Sequence, residues 1–294
     1  MKTTSCLLAI FIVLALTSCS KEQSAAKQIT TDTTTDTAML NLSYGADKTQ
    51  IFDAFLPANR STETTKVIIL IHGGSWVAGD KSDLTGLVGI LKIRFPKYAI
   101  FNINYRLSDY PSTIFPTQEN DVNTAITFIY NNSKTKYLIS NKYSFVGVSA
   151  GAHLAMLQGF KNNILVMPKV IASFSGPSDL NDMYNNPVGG NQFISEGVAY
   201  AVGSTPSANA IIYNTSSPIN YINKTSPPTI LFQGGADPLV GGTQATRVQT
   251  KLVNAGVVNQ YVFYPNQGHI GSWDDPTILD ALNKLQVFIE ANVL

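Results

Sequence analysis

The chain has 294 residues, enough for one large α/β domain or two ordinary ones, and in either case for a sizeable hydrophobic core. Charged residues make up 13% and the net charge is +1, which offers neither a basic face for nucleic acid nor an acidic tail for a steered partner. The two cysteines, Cys6 and Cys19, both precede the expected folded part, which excludes from it a disulfide, a cysteine nucleophile and a cysteine-ligated metal.

Met1-Lys2 leads into the apolar run Leu7 to Leu16, of export-signal length and too short for a membrane span at about 1.5 Å per residue. The end of that run, Leu16-Thr17-Ser18-Cys19, resembles the bacterial lipoprotein box. The resemblance implies a signal peptide over 1–18, cleavage before Cys19 and lipid attachment to that cysteine; an ordinary cleaved signal with a spare cysteine is the alternative. Ser20 to Thr37 is polar and threonine-rich and cannot bury enough surface to offset ordering, so 19–38 is expected to be a tether. The folded domain, residues 39–294, is then expected outside the cytoplasm, lipid-anchored to a bacterial membrane on its periplasmic or outer-membrane face.

Met39 to Leu56 holds two short apolar stretches around Gly45-Ala46-Asp47 and predicts an opening β-hairpin. Lys66 to Ile71 is a continuous β-branched run, as expected of a strand covered on both faces in a parallel sheet. It ends in His72-Gly73-Gly74-Ser75-Trp76, where loop glycines let backbone N–H groups approach a ligand; Gly74 and Ser75 are the candidate oxyanion donors. A helix over Asp83–Phe95, a strand over Ala99–Leu107, a helix over Pro116–Asn132 and a strand before Ser149 follow. This alternation predicts an α/β fold with a mostly parallel, doubly wound sheet and helices on both faces. Arg106 and Asp121 are expected to form a structural ion pair or a helix contact and are left out of the site.

The central stretch is Gly147-Val148-Ser149-Ala150-Gly151. A sharp strand-to-helix turn strains the backbone at Ser149, and only near-hydrogen side chains two residues before and after it avoid a clash. A serine presented in that way is a nucleophile candidate. Beyond it come a strand over Val170–Phe174, a strand over Pro228–Phe232, a helix over Gly242–Ala255, a strand over Gln260–Tyr264 and a last helix from about Asp275 to Ala291. Between them, residues 181–226 lose periodicity and read as a small cap insertion whose shape would set acyl and alcohol preference. Tyr184, Phe193, Tyr200 and Tyr213 either line a pocket there or form the cap's own core.

A serine nucleophile needs a base, and the base needs a carboxylate to hold its tautomer. The chain has three histidines. His72 belongs to the oxyanion loop, His153 lies one turn down the helix that leaves Ser149, and His269 sits on a loop after the last strand, free to reach the sheet's carboxyl edge. His269 is therefore the candidate base. Asp237 follows the penultimate strand directly and is the candidate acid, ahead of Asp179, Asp274 and Asp275; the order Ser149, Asp237, His269 is the one expected of this topology. Three scattered histidines without a carboxylate cluster make no metal site, and no nucleotide-binding glycine loop suggests a cofactor.

These residues resemble the α/β-hydrolase superfamily, and within it bacterial carboxylesterases of the acetylxylan and feruloyl esterase type. The carriers are His72 to Trp76, Asn104-Tyr105-Arg106-Leu107, Gly147 to Gly151, Ala236-Asp237-Pro238-Leu239-Val240 and Gly268-His269. Ser75 stands where many relatives have a third glycine, and Ala152 where a further glycine often follows. The resemblance implies hydrolysis of a small-molecule or polysaccharide ester through an acyl-enzyme on Ser149, with N–H groups of Gly74, Ser75 and Ala150 holding the oxyanion. An amidase, formamidase or peptidase would use the same groups. A lipid-anchored binding protein on an inactive hydrolase scaffold is the non-enzymatic alternative.

Overall fold

The computed structural model describes residues 33–162 and 165–294. The expected signal peptide, Cys19 and most of the expected tether lie outside the described residues.

Strands β1 (Thr37–Ser43) and β2 (Ile51–Leu56) pair antiparallel around the Gly45-Ala46-Asp47 turn, as the hairpin pattern predicts. The β-branched strand β3 (Lys66–Ile71) has every residue after Lys66 buried. A 3-10 turn over Lys81–Leu84, capped by Asp80, leads into helix α1 (Thr85–Arg94). Next come β4 (Tyr98–Ile103), α2 (Thr117–Asn131), β5 (Tyr143–Val148), α3 (Ala150–Phe160) and β6 (Val170–Phe174). Three short helices follow, α4 (Leu180–Asn185), α5 (Gln192–Val202) and α6 (Ala210–Thr215). The chain then closes with β7 (Thr229–Gly234), α7 (Gly242–Asn254), β8 (Asn259–Tyr264) and α8 (Asp275–Asn292).

The described residues form an eight-stranded sheet in the order β1-β2-β4-β3-β5-β6-β7-β8. Only the pairings of β2 with β1 and β4 are antiparallel; from β4 through β8 every neighbour is parallel. Two cores sandwich the sheet. One face is covered by the 3-10 turn through Leu84 and by α1 and α8 through Val88, Leu91, Leu282, Leu285 and Phe288. The other is covered by α2, α3 and α7, with Val122, Ile126, Leu154, Leu157, Val248 and Leu252 buried there. Arg94 on α1 donates to Asn283 and Gln286 on α8, tying together two neighbouring helices 189 and 192 residues apart in the chain.

The 181–226 segment, irregular by sequence, is largely helical. Asp179, Asn191 and Asn209 cap α4, α5 and α6 by accepting backbone N–H groups, and Gly203 ends α5 with a positive φ of 78°. Its aromatics divide: Tyr213 is fully buried against Tyr184, whereas Phe193 is 81% exposed and Tyr200 packs on Tyr110 at the surface. Arg106 and Asp121 pair as expected, with the guanidinium reaching both carboxylate oxygens at 2.7 and 2.9 Å.

Candidate active site

At the carboxyl end of β5, Ser149 adopts φ 54° and ψ −120°, a conformation that is costly for any L side chain. The flanking glycines make it possible. A Cβ on Gly147 would lie 2.2 Å from the Gly151 carbonyl oxygen, and one on Gly151 would lie 2.1 Å from the Ile71 carbonyl oxygen. Both sites are closed to any other residue, which is the steric demand expected of a strand-to-helix elbow.

The elbow turns the hydroxyl toward the loop after β8. Ser149 Oγ is 2.9 Å from His269 Nε2, and His269 Nδ1 is 2.7 Å from Asp237 Oδ2. A carboxylate can only accept, so Nδ1 carries the proton and Nε2 is left to accept from the serine hydroxyl. Asp237 is buried on the turn after β7, where its other oxygen accepts the N–H groups of Leu239 and Val240 at 2.9 Å. Burial pushes its carboxyl pKa up, but the hydrogen bonds from His269 and Val240 outweigh that and leave it below the usual carboxylate range. The carboxyl is thus held ionised behind the imidazole. The rival acids have other work: Asp179 caps α4 and pairs with Arg247, and Asp274 caps α8.

The other two histidines are structural partners. His72 is buried, donates from Nδ1 to the Gly73 carbonyl at 2.8 Å and stacks on Tyr105 with ring centres 4.4 Å apart. Tyr105 donates its hydroxyl to the His72 carbonyl oxygen at 3.1 Å, so the ring and the hydroxyl both brace the loop after β3. His153 is wholly buried in α3. Its Nδ1 accepts the Trp76 indole N–H at 3.2 Å, so Nε2 carries the proton and donates to the Ser216 carbonyl oxygen at 2.7 Å. Burial lowers its pKa from 6.5 to about 4, against the pull of the Ser216 bond, and keeps the ring neutral. Tyr105 and Trp76 carry no assigned role in the sequence motifs; in the structure Tyr105 braces the loop after β3 and the Trp76 indole binds His153.

That loop is tightly wound. Gly74, Ser75 and Trp76 all have positive φ, at 102°, 52° and 64°, and a Cβ on Gly74 would lie 2.0 Å from the Ala78 carbonyl oxygen. Ser75 therefore takes the backbone conformation that a glycine at that position would take, at some cost in strain. Gly74 and Ser75 share a cavity wall with Ser149 and His269; Ala150 lies buried at the start of α3, next to the serine. Among the described residues, no group of three or more His, Cys, Asp or Glu side chains is placed to hold a metal ion.

Two clefts adjoin at Ser75 and Leu239, and Ser149 lines the larger. The larger, about 520 Å³, runs between α1 and α8 over Phe174 at the end of β6, and its described lining includes no residue from 181–226. The smaller, about 150 Å³, lies under α5 beside Phe193, Ile194 and Val198 and shares Ser75 and Leu239 with the larger one. Of the insertion expected to set acyl and alcohol preference, Met183 of α4 and Phe193, Ile194, Gly197 and Val198 of α5 line the minor cleft, and none of its residues lines the larger one. By sequence the insertion is the least scaffold-like part of the chain, while the helices that line the larger cleft read as ordinary amphipathic cover.

A mostly parallel sheet with helices on both faces and a serine at the elbow after β5 defines an α/β-hydrolase fold. Within it, the chain belongs to the BD-FAE family, which it matches over residues 52–252. Among solved structures it is similar to a truncated carbohydrate esterase from gut microbiota, with a TM-score of 0.75 and 23% identity over 90% of this chain and 98% of that one. It is also similar to a bifunctional GH43-CE protein of Bacteroides eggerthii, with a TM-score of 0.75 and 25% identity over 87% of this chain and 38% of that one. Esterase LipC of Mycobacterium tuberculosis is 25% identical over 240 residues, 77% of this chain and 58% of LipC. The chain spans between 49% and 66% of the length of the curated relatives it matches.

Proposed function

We propose that the protein is a carboxylic ester hydrolase acting through an acyl-enzyme on Ser149. The observation that carries this reading is the relay of hydrogen bonds at the sheet edge, 2.9 Å from Ser149 Oγ to His269 Nε2 and 2.7 Å from His269 Nδ1 to Asp237 Oδ2. Membership of the BD-FAE family and similarity to an esterase support it.

In the reaction, Ser149 Oγ attacks the ester carbonyl carbon as its proton passes to His269 Nε2, and Asp237 stabilises the imidazolium. Negative charge gathers on the former carbonyl oxygen, where the N–H groups of Gly74, Ser75 and Ala150 receive it. The tetrahedral species collapses, the alkoxide leaves with the proton from His269, and an acyl-serine remains. Water then gives its proton to His269 and attacks the acyl carbon; the serine leaves with that proton and the acid is released.

The leader and tether extend the reading: lipid on Cys19 holds a catalytic domain of residues 39–294 at a bacterial membrane, facing acylated polysaccharide as the source of its esters. Palmitate labelling that disappears in Cys19→Ala, with release of the protein from membranes, tests the anchor. For the chemistry, a fluorophosphonate probe should label wild type at Ser149, and Ser149→Ala should lose both labelling and p-nitrophenyl ester hydrolysis. Wild-type hydrolysis by Ser149→Ala overturns the assignment, and so does labelling elsewhere.

A further inference from the structure

The larger cleft has a chemical character that the hydrogen-bond relay does not require. Its floor is made by the buried side chains of Leu84, Phe174, Ala281 and Leu282, and its sides by the half-buried Leu87 of α1 and Ile278 of α8. The polar side chains on its wall are few. Ser149 and His269 are engaged with each other, Ser75 lies in the oxyanion loop, and Asp83 is exposed, its Oδ2 accepting the Asp80 N–H at 2.9 Å. An acetyl group would leave most of a 520 Å³ apolar cavity unused. A hydroxylated group such as a sugar ring would lose its water over Leu84, Phe174 and Leu282 without a matching partner, a cost that apolar contact does not offset.

We infer that this cleft, between α1 and α8, binds an unsubstituted apolar group of the ester, an aliphatic chain of four or more carbons or a phenyl ring. The polar remainder of the substrate extends under α5 or into solvent. This inference rests on the proposed ester hydrolysis and narrows it: Leu87 and Ile278 determine specificity for that apolar group, and the insertion over 181–226 does not. Each methylene that enters such a cleft is worth about a fourfold gain in kcat/KM until the space is filled.

The test uses the purified chain with two series of p-nitrophenyl-free esters followed by acid release. In one the acyl group grows from acetate to octanoate on a methyl alcohol; in the other the alcohol grows from methyl to octyl on acetate. A rise of about fourfold per methylene over at least the first three steps in either series is expected, and the series that rises identifies which end of the ester enters the cleft. The fully folded variants Leu87→Trp and Ile278→Trp should lower the long-chain to acetate ratio of kcat/KM at least tenfold, whereas Phe193→Ala under α5 should leave that ratio alone. Flat or falling kcat/KM in both series overturns the inference, as does a ratio that answers to Phe193 and not to Leu87 or Ile278. Either result leaves ester hydrolysis standing. Absence of hydrolysis on every ester, with no probe labelling of Ser149, is instead the failure of the functional reading.

Discussion

The loop after β8 and the helix after β5 each bring an imidazole to the neighbourhood of one serine, and they put it to opposite uses. His269 is partly exposed, has a buried carboxylate behind Nδ1 and offers Nε2 to the Ser149 hydroxyl. His153 is fully buried, with Nδ1 taken by the Trp76 indole and Nε2 by the Ser216 carbonyl, so neither nitrogen is free to move a proton. An acid partner with access to solvent makes a base; two neutral partners in a dry core make a strut. Substitutions at the two positions should therefore separate cleanly, activity from stability.

The largest effect is expected at the loop. His269→Gln should lower kcat by about 10⁴- to 10⁶-fold, and Asp237→Asn by roughly 10⁴-fold, since the serine loses its proton acceptor in one and the correct tautomer in the other. The thermal midpoint of His269→Gln should move little, because the ring lies at the mouth of a cleft. Steady-state kinetics beside a melting curve check both halves. A His269→Gln enzyme within tenfold of wild type would remove the contrast altogether.

At the helix the expected effect is on folding. His153→Leu orphans the Trp76 N–H and the Ser216 carbonyl in the core and should cost about 2–6 kcal/mol, at about 1–3 kcal/mol for each buried group left unpaired. The pH dependence sharpens the point. The unfolded ring takes up a proton near 6.5 and the folded ring only near 4, so between those values the unfolded state holds the extra proton. Stability then falls as pH drops from about 6.5 to about 4, by roughly 3 kcal/mol for this group, and is unaffected by it at higher pH. Urea unfolding at pH 7 and pH 4.5 should show that His153→Leu, already weaker at neutral pH, loses less on acidification than wild type. An equal acid loss in both proteins would mean that other groups carry it, including Asp237, whose lowered carboxyl pKa likewise withdraws stability at still lower pH.

Much of this contrast was legible in the sequence, because it rests on local sterics and on strand ends. Gly147 and Gly151 are forced by contacts of 2.2 and 2.1 Å that any Cβ would make, and His269 was reached by asking which histidine could leave its own element. Position in the chain told that His153 could not face the serine. It did not tell what His153 faces, since Trp76 and Ser216 come from segments 77 and 63 residues away. The same limit hid the apolar cleft: Leu87 and Ile278 lie on helices far apart in the chain, and each reads alone as cover for the sheet. The place of β4 between β2 and β3 was likewise invisible, as a run of apolar residues carries no record of its neighbours. Within 181–226 the Asx caps at Asn191 and Asn209 were readable helix starts, but the helices α4 and α6 behind Asp179 and Asn209 are six residues long, too short for a periodic pattern to emerge.

The smallest effect should fall where the two regions touch, at Trp76. Its indole N–H binds His153, its carbonyl accepts the Ser108 N–H at 2.7 Å, and its backbone continues the positive-φ turn begun at Gly74 and Ser75. Trp76→Phe keeps an aromatic ring near Phe115 but removes one hydrogen bond and some volume, which should cost about 1–2 kcal/mol, less than His153→Leu because one buried group is orphaned instead of two. If the indole also holds the oxyanion loop in register, kcat should fall up to about tenfold with KM nearly unchanged. That is well short of the hundredfold or more that follows loss of a donor itself, because Ser75 and Gly74 keep their N–H groups and only their aim relaxes. A stability loss with kcat untouched would confine Trp76 to the core and uncouple the strut from the site. A hundredfold loss would mean instead that the loop collapses without it.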